Sequence, residues 1–244
     1  MRLNTPTRHA KQRSIATVNR ELSVLRRILN IASRNDWITK NPFESGASLI
    51  SIGDEKPKER VISKEEERRL LDACTGMRAH IRPIVLCDID TGMKRGEILS
   101  LKWPDIDFES GVITIQAFNT KTLTERQVAM TERMTKELEN LYEKSTKAPD
   151  TTCFGINDFK HSYTKARKIA GLTDVRFHDL RHTHATRLAA HSFSLAEVGR
   201  ILGHRQPQTT YRYVNANLDT LKRAAAAIDK FNNSVLEEDR LTIN

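Results

Sequence analysis

Apolar residues recur every three or four positions along most of this chain, which is the spacing that places them on one face of an α-helix. Within residues 14–34, one such stripe consists of Val18, Leu22, Leu25, Leu29 and Ala32. Asn41-Pro42 ends this segment, and the mostly polar stretch that starts at Gly46 is typical of a linker. The N-terminal part is therefore predicted to contain one amphipathic helix followed by a linker.

Residues that start and stop helices delimit a second, larger unit. Ser63-Lys-Glu-Glu66 is a capping box that opens a helix. A helix over about 81–90 stops at Gly92, because glycine is the common residue just past a helix end. Further helices are predicted through Ile98, Leu99 and Leu101, over about 131–144 and 157–170, around Leu180 and Leu188, from Ser194 to Gly203, and from Leu218 onward.

The period changes from helical to alternating in the middle of this unit. Residues 106–108 and 112–117 alternate around a Glu-Ser-Gly turn, and Arg126 to Met130 read as a third strand after a polar tip. The pattern as a whole predicts an α+β fold that is mainly α, with a small three-stranded antiparallel sheet.

The net charge of the chain indicates which kind of molecule it binds. The 244 residues suffice for one good-sized core or for one domain with a small companion. The chain has 40 Lys+Arg against 31 Asp+Glu, a formal charge of +9, which favours a polyanion such as nucleic acid. A basic surface that only maintains solubility is the alternative.

Several classes of protein are disfavoured by composition. Cys74, Cys87 and Cys153 show no Cys-x-x-Cys spacing, so neither a disulfide framework nor a zinc knuckle is supported. No apolar run approaches the roughly 18–20 residues of a membrane span, and no signal peptide follows the basic N-terminus. A cytoplasmic protein with reduced thiols is expected, with no membrane association.

The candidate chemistry concentrates near the C-terminus. His178 and Arg181 stand three apart at the start of a predicted helix, so they share a face, and a guanidinium matches two phosphate oxygens. An ordinary surface pair is the alternative. His182 and His184 also raise the possibility of a metal site, which the lack of nearby acidic or thiol partners disfavours.

Two further positions suit phosphodiester chemistry. His204 follows the helix-ending Gly203, and Tyr213 lies nine residues later, with Tyr211 as a rival nucleophile. Lys121 lies at the tip of the predicted hairpin, where a lysine is usually just solvated. A phenol can form a covalent link to phosphorus, while histidines and a lysine transfer protons.

These segments resemble the tyrosine recombinases, the phage-integrase family. The family spacing Gly-His…Thr-Thr-x-x-Tyr falls on Gly203-His204 and Thr209-Thr210 and selects Tyr213 over Tyr211. In the family, a lysine between the second and third strands acts as general acid toward the leaving 5′-oxygen, and this resemblance assigns that role to Lys121.

One position departs from the family pattern. The pattern Thr-Gly-x-Arg-x-Gly/Ser-Glu aligns with Thr91-Gly-Met-Lys-Arg-Gly-Glu97 and puts Lys94 where an arginine usually clamps the phosphate. Arg95 is offset by one residue and so points in another direction. Lysine keeps the charge but loses the planar two-point grip. Glu97 either holds the clamping residue in position without contacting the phosphate itself, or is an N-terminal helix carboxylate with no further role.

The resemblance implies a site-specific recombinase that cuts and rejoins double-stranded DNA through a 3′-phosphotyrosyl link at Tyr213. Its catalytic set is Tyr213, Arg181, His178, His204, Lys121 and Lys94. It implies a homotetramer on DNA with a dimer per site, which is compatible with a monomer in free solution, and a nucleoid-associated cytoplasmic location in a bacterium or phage-infected cell. No cofactor and no metal are expected, since the sequence has neither a Gly-x-x-x-x-Gly-Lys-[Ser/Thr] loop nor a carboxylate cluster for Mg²⁺.

The same resemblance predicts the domain organisation. Residues 1–45 match the end of the family's helical core-binding domain and have room for only part of it, 46–60 form a linker, 61–230 form the catalytic domain, and 231–244 form a tail that docks in trans. Two other functions stay open: an integrase-like DNA-binding protein with impaired catalysis, and a type IB topoisomerase. The Thr-Gly-x-x-x-Gly-Glu box with Leu-Gly-His favours an integrase over the topoisomerase.

Overall fold

The computed structural model describes residues 13–44, 49–50, 53–55, 60–117, 125–191, 193–204, 206 and 208–211. The chain divides into two units, residues 1–58 and 59–244. Most of the predicted linker at 46–60, the helix predicted from Leu218 and the predicted tail at 231–244 lie outside the described residues.

The first unit contains the predicted amphipathic helix, α1 (Ile15–Arg34). Ser14 caps it by accepting a hydrogen bond from the Thr17 backbone N–H at 3.2 Å. Val18 is buried as predicted, whereas Leu25 is 45% exposed. The predicted helix is therefore confirmed, but its apolar stripe is covered only in part.

The second unit contains the remaining described helices. They are α2 (Lys64–Asp72), α3 (Arg82–Thr91), α4 (Arg95–Leu99), α5 (Glu132–Glu143), α6 (Lys160–Ile169), α7 (Phe177–Ala190), α8 (Leu195–Leu202) and α9 (Gln208–Tyr211), with 3-10 turns at Gly76–Ile81 and Trp103–Asp105. The predicted capping box of Ser63 with Glu66 forms on α2, and the helix predicted from Ser194 also begins with a capping box, Ser194 with Glu197 on α8.

The predicted sheet is also confirmed. Strands β1 (Ile106–Asp107), β2 (Val112–Ile115) and β3 (Arg126–Ala129) pair antiparallel in the order β1-β2-β3. Ile113 lies opposite Val128, and both side chains are buried on the core side of the sheet. Strand β2 ends two residues before the predicted limit of 117.

The core of this unit surrounds α3, which packs against α5 and α7. Apolar α3 side chains such as Ile84, Val85 and Ile89 are buried around the whole helix, so α3 is the central element of the domain. The three cysteines are buried and unpaired. Among the described residues, no helix is long and apolar enough to cross a membrane.

Two helix boundaries differ from the predictions for local reasons. Helix α4 ends at Leu99, since Leu101 leaves the helix to pair its carbonyl with the Cys153 backbone N–H at 2.7 Å. Helix α6 begins at Lys160 rather than near 157, where Asp158 accepts a hydrogen bond from the Lys160 backbone N–H at 2.9 Å. Helix α9, over Gln208–Tyr211, lies in a segment for which no helix was predicted.

Candidate active site

The side chain of Arg181 lies at the centre of the candidate site. It projects from α7 and is only 2% exposed. Its guanidinium donates one hydrogen bond to the Gly92 carbonyl and another to the Leu202 carbonyl, the latter at 2.6 Å. Because Gly92 ends α3 and Leu202 ends α8, one side chain joins the ends of two helices that are distant in sequence.

The chemistry of helix ends explains this contact. The last carbonyls of a helix lack a partner within it, and the helix dipole places partial negative charge there, which favours a cation. Gly92 and Gly203 cap α3 and α8 with φ of 63° and 66°, in the left-handed region. A Cβ on Gly92 would lie 2.7 Å from the Leu202 side chain, so the close approach of the two helix ends requires glycine.

The buried carboxyl group of Asp88 interacts electrostatically with Arg181. Asp88, one turn before the end of α3, is buried, and burial raises the pKa of its carboxyl well above the ordinary value. The positive charge of Arg181 opposes that rise without cancelling it. The environment of Arg181 is therefore largely shielded from solvent.

Lys94 approaches the site from the turn between α3 and α4. Its backbone N–H donates to Glu97 Oε2 at 2.8 Å, and its Nζ lies 3.3 Å from Glu97 Oε1. The side chain is 32% exposed. Burial lowers the pKa of Lys94, and the charge of Arg181 lowers it further while Glu97 opposes the shift. The ammonium of Lys94 is thus within electrostatic reach of Arg181.

The neighbouring arginine has different partners. Arg95 forms an ion pair with Asp158, and its guanidinium lies 5.0 Å from the centre of the Phe159 ring. It therefore does not replace Lys94 in the turn.

Glu97 connects this turn to the sheet. It is buried and receives two hydrogen bonds from Arg126 of β3, at 3.0 and 2.7 Å. Burial alone would raise the pKa of Glu97, but the hydrogen bonds and charge of Arg126 outweigh it, and the pKa falls. Glu97 is consequently an ionised partner shared by Lys94 and Arg126, and not a helix carboxylate without a further role.

The histidines of α7 occupy different environments. His178 is exposed at the start of the helix, and its ring meets that of buried His182 edge to face at 4.7 Å. His184 Nδ1 lies 3.0 Å from the Ile89 carbonyl, and burial lowers its pKa. In the part of the chain that the structure describes, no group of three or more metal-ligating side chains is arranged to hold an ion.

His204 follows Gly203 at the end of α8. Its Nδ1 lies 2.9 Å from the hydroxyl oxygen of Thr210, a buried residue of α9. A Cβ on Gly199 of α8 would lie 3.0 Å from that same oxygen. The glycine therefore lets Thr210 pack against α8, and the Thr210 hydroxyl joins α9 to His204.

Two predicted catalytic residues lie outside the described residues. Lys121 belongs to 118–124, between β2 and β3, and Tyr213 follows α9. The rival Tyr211 is the last residue of α9. The roles assigned to Lys121 and Tyr213 remain predictions.

Comparison with known proteins decides the family. The model of the phage integrase family matches residues 60–219, which is more than half of the chain. The chain belongs to the phage integrase family.

Curated relatives from this family include viral, bacterial and archaeal proteins. The integrase of Salmonella phage P22 is 27% identical over 240 residues, covering 92% of this chain and 60% of the relative. Tyrosine recombinase XerA of Saccharolobus solfataricus is 32% identical over 167 residues, covering 67% and 54%. The shufflon-specific DNA recombinase of Escherichia coli is 31% identical over 207 residues, covering 82% and 50%. The chain thus spans about half to three fifths of the length of these relatives.

Solved integrase structures share the fold. The Tn1549 transposon integrase in complex with transposon right-end DNA superposes with a TM-score of 0.71 at 18% identity, covering 89% of this chain and 80% of that one. The catalytic domain of bacteriophage HP1 integrase gives 0.55 at 22% identity, covering 69% and 95%. The predicted integrase catalytic fold, mainly helical with a three-stranded sheet, is confirmed.

Sequence reasoning missed two residues of the candidate site. Arg126 was assigned only to the third strand, and Thr210 only to a spacing motif. Their partners are remote in sequence: Arg126 bonds Glu97 and the Ile201 carbonyl. The available signals were weak, namely a basic residue at the start of a core-facing strand and the helical glycine Gly199.

Proposed function

We propose that this chain is the catalytic part of a site-specific DNA recombinase that cuts and rejoins DNA through Tyr213. The observation that carries this proposal is the pair of hydrogen bonds from Arg181 to Gly92 and Leu202. They bring the His178-x-x-Arg181 helix, the turn bearing Lys94 and the segment bearing His204 to one place. Cationic and imidazole groups that converge in this way suit a single phosphate.

In the proposed reaction, the hydroxyl oxygen of Tyr213 attacks the scissile phosphorus and its proton passes to His178. The bond from phosphorus to the 5′-oxygen breaks, Lys121 protonates that oxygen, and a 3′-phosphotyrosyl link remains. Arg181 and Lys94 stabilise the negative charge that develops on the phosphoryl oxygens.

His204 donates a hydrogen bond to a non-bridging oxygen, and the contact of its Nδ1 with Thr210 holds its ring. Thr210 either accepts from Nδ1 or donates to it, according to the tautomer. When Thr210 donates to Nδ1, the neutral ring carries its proton on Nε2 and can donate it; when Thr210 accepts, only a doubly protonated ring can donate from Nε2.

Rejoining follows the same steps in reverse. The 5′-hydroxyl of a partner strand attacks the phosphotyrosyl link, a new phosphodiester forms, and the tyrosine is released. Because the bond energy is kept in the covalent link, the proposed reaction uses no ATP, and because Arg181 and Lys94 stabilise the phosphoryl charge, it uses no metal. Adduct formation is accordingly expected to persist in EDTA.

The proposed partner is double-stranded DNA, bound as a homotetramer with a dimer on each site. The formal charge of +9 supports a polyanionic partner. We further propose that residues 1–45 belong to a helical clamp on DNA and that residues 231–244 dock onto a neighbouring protomer. Deletion of 231–244 is expected to weaken tetramer formation on DNA, and unchanged assembly would contradict this docking.

A second candidate function is DNA binding with impaired catalysis. The observation that favours it is the contact of Lys94 with Glu97 at 3.3 Å, which diverts part of the lysine's charge from a phosphate. This candidate predicts tight DNA binding with little covalent protein–DNA adduct. One experiment that measures both binding and adduct therefore decides between the two candidate functions.

That experiment uses a nicked suicide substrate that carries the cognate DNA site, scored for covalent protein–DNA adduct. We expect the native chain to form an adduct, Tyr213→Phe to abolish it and Tyr211→Phe to spare it. An adduct that persists in Tyr213→Phe would remove the assigned nucleophile. Binding without an adduct in the native chain would favour the second candidate.

A further inference from the structure

The guanidinium of Arg126 contacts both sides of the candidate site. We propose that Arg126 is a positioning residue for Lys94, which it controls by holding Glu97 in a two-point ion pair. This inference rests on the proposed function, since it concerns the direction of the Lys94 ammonium toward the scissile phosphate.

The geometry of the pair is restrictive. Arg126 and Glu97 side chains are 9% and 1% exposed, so the pair is shielded from solvent. The two guanidinium nitrogens Nη1 and Nη2 reach the two carboxylate oxygens at 3.0 and 2.7 Å. Planar pairing of this kind fixes both groups in orientation as well as in distance.

Lys94 and Arg126 compete for the same carboxylate. Glu97 Oε1 accepts from Arg126 Nη1 and also lies 3.3 Å from Lys94 Nζ. With Arg126 in place, the charge of Glu97 is neutralised by its two hydrogen bonds, and Lys94 is only loosely held. Without Arg126, a buried carboxylate would lack its main partner and would draw the lysine ammonium onto itself.

Arg126 also reaches the opposite side of the site. Its Nε donates to the Ile201 carbonyl at 3.0 Å, in the last turn of α8. A Cβ on Gly203 would lie 3.0 Å from Arg126 Cδ, so this side chain covers the backbone just before His204. Arg126 therefore fixes the Lys94 turn and the His204 segment relative to each other.

The first test is the single-turnover rate of cleavage on the suicide substrate. Arg126→Gln is expected to slow cleavage on the order of 100-fold, as small misplacements of catalytic groups do. Adding Glu97→Gln to that variant removes the carboxylate that captures Lys94, so the double variant is expected to recover about tenfold. If Arg126 were merely structural, the double variant would be as slow as the single variant or slower, and that result would overturn the inference.

Two variants control for folding. Arg60→Gln removes the arginine of another two-point pair, in which Arg60 bonds both oxygens of Glu66. It is expected to lower Tm while leaving the cleavage rate and DNA affinity unchanged. Arg126→Lys keeps the charge but can meet only one carboxylate oxygen at a time, so an intermediate rate is expected even if Arg126→Gln folds poorly.

A second readout does not depend on cleavage. NMR titration of isotope-labelled lysine, with Lys94→Arg to assign the signal, reports the pKa of Lys94. The charged groups that face its ammonium are Glu97, Arg126 and Arg181. Arg126→Gln is expected to raise this pKa, and the double variant to lower it again.

The outcomes separate the two proposals. A native chain that forms no adduct contradicts the proposed function, and the titration still decides whether Arg126 controls Lys94. An active native chain in which neither the rate nor the pKa of Lys94 responds to Arg126→Gln contradicts the positioning role alone.

Discussion

The two cations at the candidate site are held by different kinds of group. Arg181 is buried, and it donates hydrogen bonds to the neutral carbonyls of Gly92 and Leu202. Lys94 is one third exposed, and its ammonium lies beside the carboxylate of Glu97. Neutral carbonyls hold a guanidinium in position without cancelling its charge. A carboxylate also holds an ammonium in position, but it neutralises part of the ammonium charge.

This difference indicates a division of labour. Arg181 connects the ends of α3 and α8, so its position is determined by the fold. Lys94 extends from a turn, and its charge depends on how strongly Arg126 occupies Glu97. We expect changes at Arg181 to affect stability and catalysis together, and changes at Lys94 to affect catalysis with little effect on stability.

The largest effect is expected from Arg181→Lys. A lysine cannot reach both carbonyls in one plane, so cleavage should fall about 10²–10³-fold. The free energy of unfolding should drop by about 1–3 kcal/mol, because a buried carbonyl loses its donor. Single-turnover cleavage and urea denaturation measure the two effects. If Arg181→Lys kept the native stability and the native cleavage rate, Arg181 would neither link the two helix ends nor stabilise the phosphoryl charge.

Gly92→Ala tests the close approach on which the Arg181 contact depends. The methyl group would meet the Leu202 and His184 side chains at 2.7 and 2.8 Å, on a backbone with φ of 63°. We expect a loss of about 2–4 kcal/mol of unfolding free energy from strain and overpacking.

Gly111→Ala is the matched control for that change. Gly111 has a similar φ of 68°, but no atom lies within 4 Å of the added methyl group. Only the backbone strain applies, so a loss of about 1 kcal/mol is expected. Equal losses in the two variants, measured by urea denaturation, would show that the helix ends are not closely packed.

Lys94→Arg tests the other cation of the candidate site by replacing its ammonium with a guanidinium. A guanidinium can bond Glu97 and a phosphate oxygen at once, so cleavage is expected to rise about tenfold with Tm nearly unchanged. Burial lowers the pKa of Lys94, so the native rate should decline on the alkaline side sooner than that of an ordinary lysine. Because arginine stays protonated, this decline should move to higher pH in Lys94→Arg. A rate that falls on substitution would contradict the assigned slot.

The smallest effect is expected from the helix caps. Ser194→Ala and Ser63→Ala should each cost about 1 kcal/mol, since each serine caps a helix through a matching box. Only Ser194 lies on α8, whose end bonds Arg181, so only Ser194→Ala should also slow cleavage, by a few-fold. Equal cleavage rates in the two variants would weaken the link between α8 and the site.

Local signals were enough to predict much of this fold. The capping serines, the helix-ending Gly92 and Gly203, and the alternation around Gly111 each act within a few residues of the structure that they determine. The convergence of Lys94, Arg181 and His204 was proposed only through resemblance, because no local rule joins segments that lie so far apart in the chain.

The supporting contacts were beyond sequence reasoning for the same physical reason. The Arg126–Glu97 pair and the Arg126–Ile201 hydrogen bond span 29 and 75 positions. The sequence pattern placed Arg126 in a strand but did not indicate its partner, since a partner is determined by tertiary packing. The offset of one residue already predicted that Arg95 points in another direction from Lys94, but its partners Asp158 and Phe159 became visible only in the structure.

Locating the covalent bond between protein and DNA shows whether Tyr213 is the nucleophile. The adduct from the suicide substrate would be digested with nuclease and protease, and the peptide that carries the nucleotide sequenced by mass spectrometry. We expect a 3′-phosphate linked to the phenolic oxygen of Tyr213 and a 5′-hydroxyl on the released strand. A nucleotide attached to any other residue, or a released strand that ends in a 5′-phosphate, would contradict the proposed reaction.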